Sequence, residues 1–332
     1  MFQGAQPGIK FALGENVKRS NFGPGSRYPA TRMGVEQVLR DSFAAAEEYA
    51  AAWKAYRAAR PGTLPEPRRD LQMDTLVELL ERKRAIHVHS YRADEILMFA
   101  RFAKEKNLVV AAFQHVLEGY KVADEMAAIG AGGSTFSDWW AYKMEVVDAI
   151  PHNAALMTRA GVVTTLNSDN NELGRRLNTE AAKAIKHGGL DPQQALALVT
   201  LNAAKQLGVA ARTGSLEVGK DADLVVWSGP PMATTSRVEQ TWVDGRRYFD
   251  VEADRRQREA DAAERARLVA AALRAPRPGA GEGAGGPPGG ASPPRPNFTD
   301  GLNWFHLFDK MRAHRHSYAD LGAWHECTED AR

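Results

Sequence analysis

The sequence predicts an α/β fold in which parallel strands alternate with helices. Apolar runs of strand length recur at 9–13, 86–89, 108–113 and 161–166, with a weaker run at 130–136. Residues at helical spacing fill the intervals, and helix start and stop signals mark several boundaries. Apolar strands separated by helices are covered on both faces, which is the pattern of a parallel sheet.

The first run, 9–13, follows a short Met-Phe-Gln-Gly-Ala-Gln-Pro-Gly segment. That segment has neither the basic nor the apolar region of a signal peptide, and the chain is expected to begin in mid-fold. Val35, Val38, Leu39, Phe43, Tyr49, Trp53 and Tyr56 then share one stripe of a long helix. After the run at 86–89, Ile96, Leu97, Phe99, Ala100 and Ala103 form a second stripe. Asp191-Pro192-Gln193-Gln194 supplies an N-cap, a first-turn proline and a capping-box glutamine ahead of 195–201. Gly161 and Gly188 stand at helix C-cap positions. Five β/α units fit before residue 205, whereas a closed eight-stranded barrel takes about 250 residues. Two architectures remain open on that count: an open five-stranded sheet, or a barrel without its first three units.

Composition divides the rest. Of 332 residues, 44% are hydrophobic and 25% charged, which is globular composition. Lys and Arg total 43 against 41 Asp and Glu, a formal charge of +2, so no nucleic-acid or membrane-surface partner is expected. The single Cys327 excludes an internal disulfide framework, and no apolar run is long enough to span a membrane. Residues 251–275 are rich in Ala, Arg and Glu and read as an exposed helix. Residues 276–297 hold seven prolines and seven glycines in 22 positions, the composition of a disordered linker. The tail, 298–332, carries His306, His314, His316, His325 and Cys327, whose spacing matches no structural zinc pattern.

Three strand ends carry metal-ligand residue types. One run ends His87-Val88-His89-Ser90, the next ends Phe113-Gln114-His115, and a later one ends Leu166-Asn167-Ser168-Asp169. Parallel strands end on one rim, so His89, His115 and Asp169 are expected to converge there. Two imidazoles and a carboxylate suit a divalent metal, most readily zinc, as one or two ions. His87 lies two residues back on the same strand face and is expected one layer deeper, in the core.

The segment Gly214-Ser-Leu-Glu-Val-Gly-Lys-Asp-Ala-Asp-Leu-Val-Val-Trp227 resembles the closing signature of the metal-dependent amidohydrolase superfamily. Thr200-Leu-Asn-Ala-Ala-Lys-Gln-Leu-Gly208 resembles the helix that leads into it. Through 86–91 and His115-Val-Leu-Glu-Gly-Tyr-Lys121 the chain is similar to the imidazolonepropionase-like branch. This resemblance implies a TIM-type (β/α)8 barrel, incomplete at its N-terminus and containing about strands 4–8, over residues 1–212. Residues 213–250 would then be part of a small β-sandwich. It also implies a strand-one His-x-His that no strand before residue 9 supplies. Lys10 matches the carboxylated lysine of related members, as a carbamate, with Glu15 as its rival for the bridging position.

The implied activity is hydrolysis of an amide-type C–N bond, in a cyclic amide or small peptide derivative, by a metal-activated water. Asp169 would serve as general base and then acid, and His115 would bind metal or orient the carbonyl. Trp139, in the Phe136–Trp140 segment, either walls the substrate pocket or packs its loop onto the barrel. Tyr120 and Asn167 are the other substrate-contact candidates. A small molecule is the expected partner, homo-oligomerisation is open, and so is the compartment. The contrasting expectation is a catalytically silent barrel fragment that associates with a partner or binds metal weakly. A nucleotide-binding open sheet is a third, but it lacks a glycine-rich strand–helix turn.

Overall fold

The computed structural model describes residues 5–19 and 28–274. The linker at 276–297 and the histidine-bearing tail at 298–332 lie outside the described residues. Five strands, β1 (Gly8–Ala12), β2 (Ala85–Ser90), β3 (Val110–His115), β4 (Gly132–Thr135) and β5 (Thr164–Leu166), form one sheet in the order β1-β2-β3-β4-β5. Every neighbouring pair is parallel. Strand order follows chain order without reversal, as in a (β/α) barrel. A doubly wound nucleotide-binding sheet instead reverses at a switch point. The fold is α/β and TIM-like.

The helices are set by local signals. Thr31 caps the helix Arg32–Ala58 by accepting from Gly34 N at 3.0 Å, and that helix buries Val35 and Phe43 against the sheet. Farther along, Tyr49, Trp53 and Tyr56 are half-buried and meet edge-to-face, at 6.3 and 5.9 Å between centroids. The helix Leu71–Leu80, capped by Asp70, packs beside it and was not anticipated from the stripes. The helix Ala93–Glu105 buries Ile96, Phe99, Ala100 and Ala103, as its spacing requires.

At Asp191 the capping box forms in full, with Pro192 in the first turn. The helix Leu177–Gly188 is closed by Gly189, in the left-handed region at φ +63°, and not by Gly188 as expected. Gly188 is instead the last helical residue, where an added Cβ would collide with Ala155. Close packing selects that glycine, and backbone sign selects the next.

The main core lies between the sheet and the helices 32–58, 71–80 and 93–105. Phe99 is fully buried at its centre and meets Phe11, Phe102 and Phe113 at 5.9 to 6.1 Å. A small cluster of Tyr91, Leu117, Phe136 and Val146 lies beneath the loops at the strand C-termini. Beyond the parallel sheet, β6 (Leu224–Trp227), β7 (Val238–Val243) and β8 (Arg246–Asp250) form an antiparallel sheet in that order. Asp244 and Gly245, both at positive φ, make the tight β7–β8 turn. The chain divides into two compact units at Arg255. The described part of the second continues the helix Val251–Arg274, which has no buried residue.

Phe99→Ala should lower unfolding free energy by about 3–5 kcal/mol in denaturant titration, because it empties the centre of the core. Leu273→Ala, on a side chain 82% exposed, should change it by less than about 0.5 kcal/mol.

Candidate metal centre

β2 and β3 carry the two histidines, and strand alternation alone would not bring them together. The register pairs Lys10 with His87, Ala12 with His89, His89 with Gln114, and Ser90 with His115. Residues opposed in register share a face, so an ideal β3 would turn His115 away from His89. At its last residue the strand leaves extended geometry: His115 has φ +69° and Val116 +36°. The two rings then meet edge-on with centroids 4.6 Å apart. A left-handed conformation at a non-glycine residue costs of order 1–3 kcal/mol and persists only where surrounding contacts hold it.

Asn153 provides that hold. It is buried, and its Nδ2 donates to Val116 O at 2.9 Å and to Thr135 Oγ1 at 3.0 Å. Its Oδ1 accepts from Tyr120 N at 2.9 Å, so one amide fixes both sides of the turn after His115. Val116 N also donates to Ser90 O at 2.9 Å. Sequence reasoning missed Asn153, whose only sequence signal is its place at the start of the helix Asn153–Arg159.

His89 and His115 are 2% and 7% exposed. Burial pushes His89 down to about 4, with the charges of Lys10 and Lys143 adding to it. Burial holds His115 well below the ordinary imidazole range, aided by His89, Lys10 and Lys143. Both rings are therefore neutral at neutral pH, the state in which an imidazole nitrogen can ligate a metal. This donor pair fits a divalent cation.

The remaining candidates are placed differently. Among the described residues, no three His, Cys, Asp or Glu side chains come together as a metal-holding group. Asp169 is exposed in the loop after β5, at φ +43°, so the expected three-way convergence is found for two members. Lys10 lies on β1 opposite His87, and its charge acts on both imidazoles. Glu15 opens the short helix Glu15–Arg19, and its backbone N–H donates to Glu145 Oε2 at 3.1 Å. His87 is half-buried rather than core, with Nδ1 3.3 Å from Gln114 Nε2.

Around His115 the aromatic rings stack in series. Tyr91 lies 5.2 Å away on one contact, Phe136 5.3 Å away on another, and Trp139 stacks on Phe136 at 4.5 Å. Trp139 therefore extends the stack outward while packing its own loop. Tyr120 donates its hydroxyl to Asp148 O at 3.0 Å, and Asn167 donates to Ser134 Oγ at 2.7 Å. Each of those side chains thus has a hydrogen-bond partner within the protein.

A model of the amidohydrolase family matches residues 14–248. An amidohydrolase of Hapsidospora irregularis is 30% identical over 255 residues, which is 73% of this chain and 26% of that protein. An imidazolonepropionase of Symbiobacterium thermophilum is 55% identical over 47 residues, or 14% of this chain and 11% of that one. Among solved structures, an amidohydrolase from Thermotoga maritima matches with a TM-score of 0.65 at 33% identity. That match covers 73% of this chain and 62% of the other. The chain thus spans about a quarter of the Hapsidospora protein and less than two thirds of the Thermotoga chain.

The depressed histidine has a signed consequence for stability. Unfolded, His89 takes up a proton near pH 6.5; folded, it does so only near 4. The unfolded state therefore binds more protons as pH falls through this window, and stability drops. Between pH 6.5 and 4 the metal-free chain should lose about 3 kcal/mol through this one group. His89→Asn should flatten that part of a pH series of unfolding free energies.

Proposed function

The chain belongs to the amidohydrolase family, and on that premise we propose that it is the metal-holding part of a hydrolase acting on amide-type C–N bonds other than linear peptide bonds. The substrate class is a cyclic amide or a small peptide derivative. The observation that carries this reading is the pair of buried, neutral imidazoles, His89 and His115, 4.6 Å apart at adjacent strand ends.

A divalent cation, with zinc the first choice, would be held by His89 and His115, with Asp169 and a carboxylated Lys10 as further ligands. Lys10 is favoured over Glu15 because its side chain lies near enough to both imidazoles for its charge to act on them, within reach of the same rim once carboxylated. When bound, such an ion supplies Lewis acidity toward a carbonyl oxygen and acidifies water. Asp169 takes the proton from the attacking water on its carboxylate and returns it to the leaving nitrogen. His115, clamped between Tyr91 and Phe136, keeps one ring orientation through the cycle. Trp139 offers a flat apolar wall to the substrate, while Tyr120 and Asn167 shape the rim behind it.

A second reading is a silent fragment that associates with a partner or a second copy. It is favoured by the exposed placement of Asp169 and by the pairing of β1 and β5 on one side each among the described residues. Among the described residues, no helix is long and apolar enough to cross a membrane.

Turnover of a panel of cyclic amides and dipeptide derivatives by the zinc-supplied full chain separates the two readings. The hydrolase reading expects saturable turnover that falls by about 10²–10⁴-fold in Asp169→Asn. No turnover across the panel, or an undiminished Asp169→Asn variant, would count against it.

A further inference from the structure

Beside the histidine pair lies a group of buried charges that the proposed chemistry does not use. Glu95 and Glu145 are 3% and 2% exposed, yet each keeps its carboxylate in reach of cations and backbone donors. Glu95 Oε1 accepts from Gly14 N at 3.0 Å, and its Oε2 lies 3.2 Å from Arg32 Nε. Glu145 Oε2 accepts from Glu15 N at 3.1 Å and lies 3.7 Å from Arg32 Nη2. Its other oxygen, Oε1, lies 2.9 Å from Lys143 Nζ. Gly14, at φ +86°, lets the two carboxylates approach the backbone, since a Cβ there would come within 3.1 Å of Glu145 Oε2. Two anions and two cations thus join the end of β1, the starts of the helices 32–58 and 93–105, and the loop that carries Lys143.

The output of this group is the position of one ammonium. Lys143 Nζ sits 3.9 Å from the centroid of the Tyr91 ring, well inside cation–π range. Tyr91 is fully buried and touches both imidazoles: His89 edge-on at 4.9 Å and His115 nearly parallel, 14° off, at 5.2 Å. A buried ion network is weak evidence for stability. Here Arg32 Nε, Glu95 Oε2 and Glu145 Oε1 meet their partners as ion pairs without hydrogen-bond geometry, so the network places charges rather than closing a hydrogen-bond cage.

We propose that Lys143 is a positioning residue for the two imidazoles: held by Glu145, its ammonium seats the Tyr91 ring against His89 and His115. The idea rests on the reading of those histidines as ligands, and its test does not require metal. His115 lies between two stacked rings, so its carbon-bound ring protons sense the orientation of both.

Histidine-selective NMR of the metal-free full chain reads this directly, with the His115 signal assigned through His115→Gln. The wild type should give one sharp His115 signal. Lys143→Met should broaden or split it while leaving His187 unchanged, and Lys143→Arg should restore a single line. Lys143→Gln, which keeps a hydrogen-bonding end for Glu145, should behave like Lys143→Met and decides the matter if the methionine variant unfolds. A single sharp His115 signal in the neutral variants would overturn the proposal. A chain that takes up no zinc would instead remove the ligand reading and leave the NMR result on Lys143 standing.

Discussion

The site depends on a single departure from strand geometry. β3 gives up its extended backbone at His115, and that left-handed residue turns an imidazole that alternation would send toward the helices back to the inner face. Without it His89 would face Gln114 alone, its partner in register. The conformation is unfavourable for any residue but glycine, so it must be held from outside. Asn153 holds it with bonds to Val116, Thr135 and Tyr120, which ties the helix after β4 to the ends of β3 and β4.

Burial then sets the chemistry of what the turn brings together. Two imidazoles this close, surrounded by Tyr91 and Phe136 and near Lys10 and Lys143, cannot easily charge. Burial therefore favours the neutral form of both rings, which is the form the proposed cation site requires. One of the cations that disfavour protonation, Lys143, is itself balanced by Glu145, and Glu145 together with Glu95 meets Arg32.

Much of this was legible from the residues. Apolar runs located all five parallel strands; the core-facing side is apolar, with Ile86, Val88, Val110 and Phe113 packed against the helices, while the other side carries Lys10, His87, His89 and Gln114. His89 and His115 were legible because metal-ligand residue types recur at the ends of successive strands, and parallel strands end on one rim. The rest was hidden for physical reasons. Glu95 and Glu145 carry no signal of their own, since sequence pattern cannot show that distant arginine, lysine and backbone donors will surround them. Asn153 is one of many asparagines ahead of a helix, and its function lies in tertiary bonds. Gly188 and Gly189 are adjacent glycines that only packing and the sign of φ distinguish. Asp169, legible as a carboxylate at a strand end, lies on an exposed loop whose path strand periodicity does not specify.

On the proposed function, His89 and His115 act jointly as ligands for one divalent cation. Titration of the full chain with Co²⁺, followed by its visible absorption, tests this most directly, because the bands report the ligand field. Joint ligation requires saturable binding whose bands are lost in His89→Gln and equally in His115→Gln. Binding that survives both substitutions, or no binding by the wild type, would contradict it.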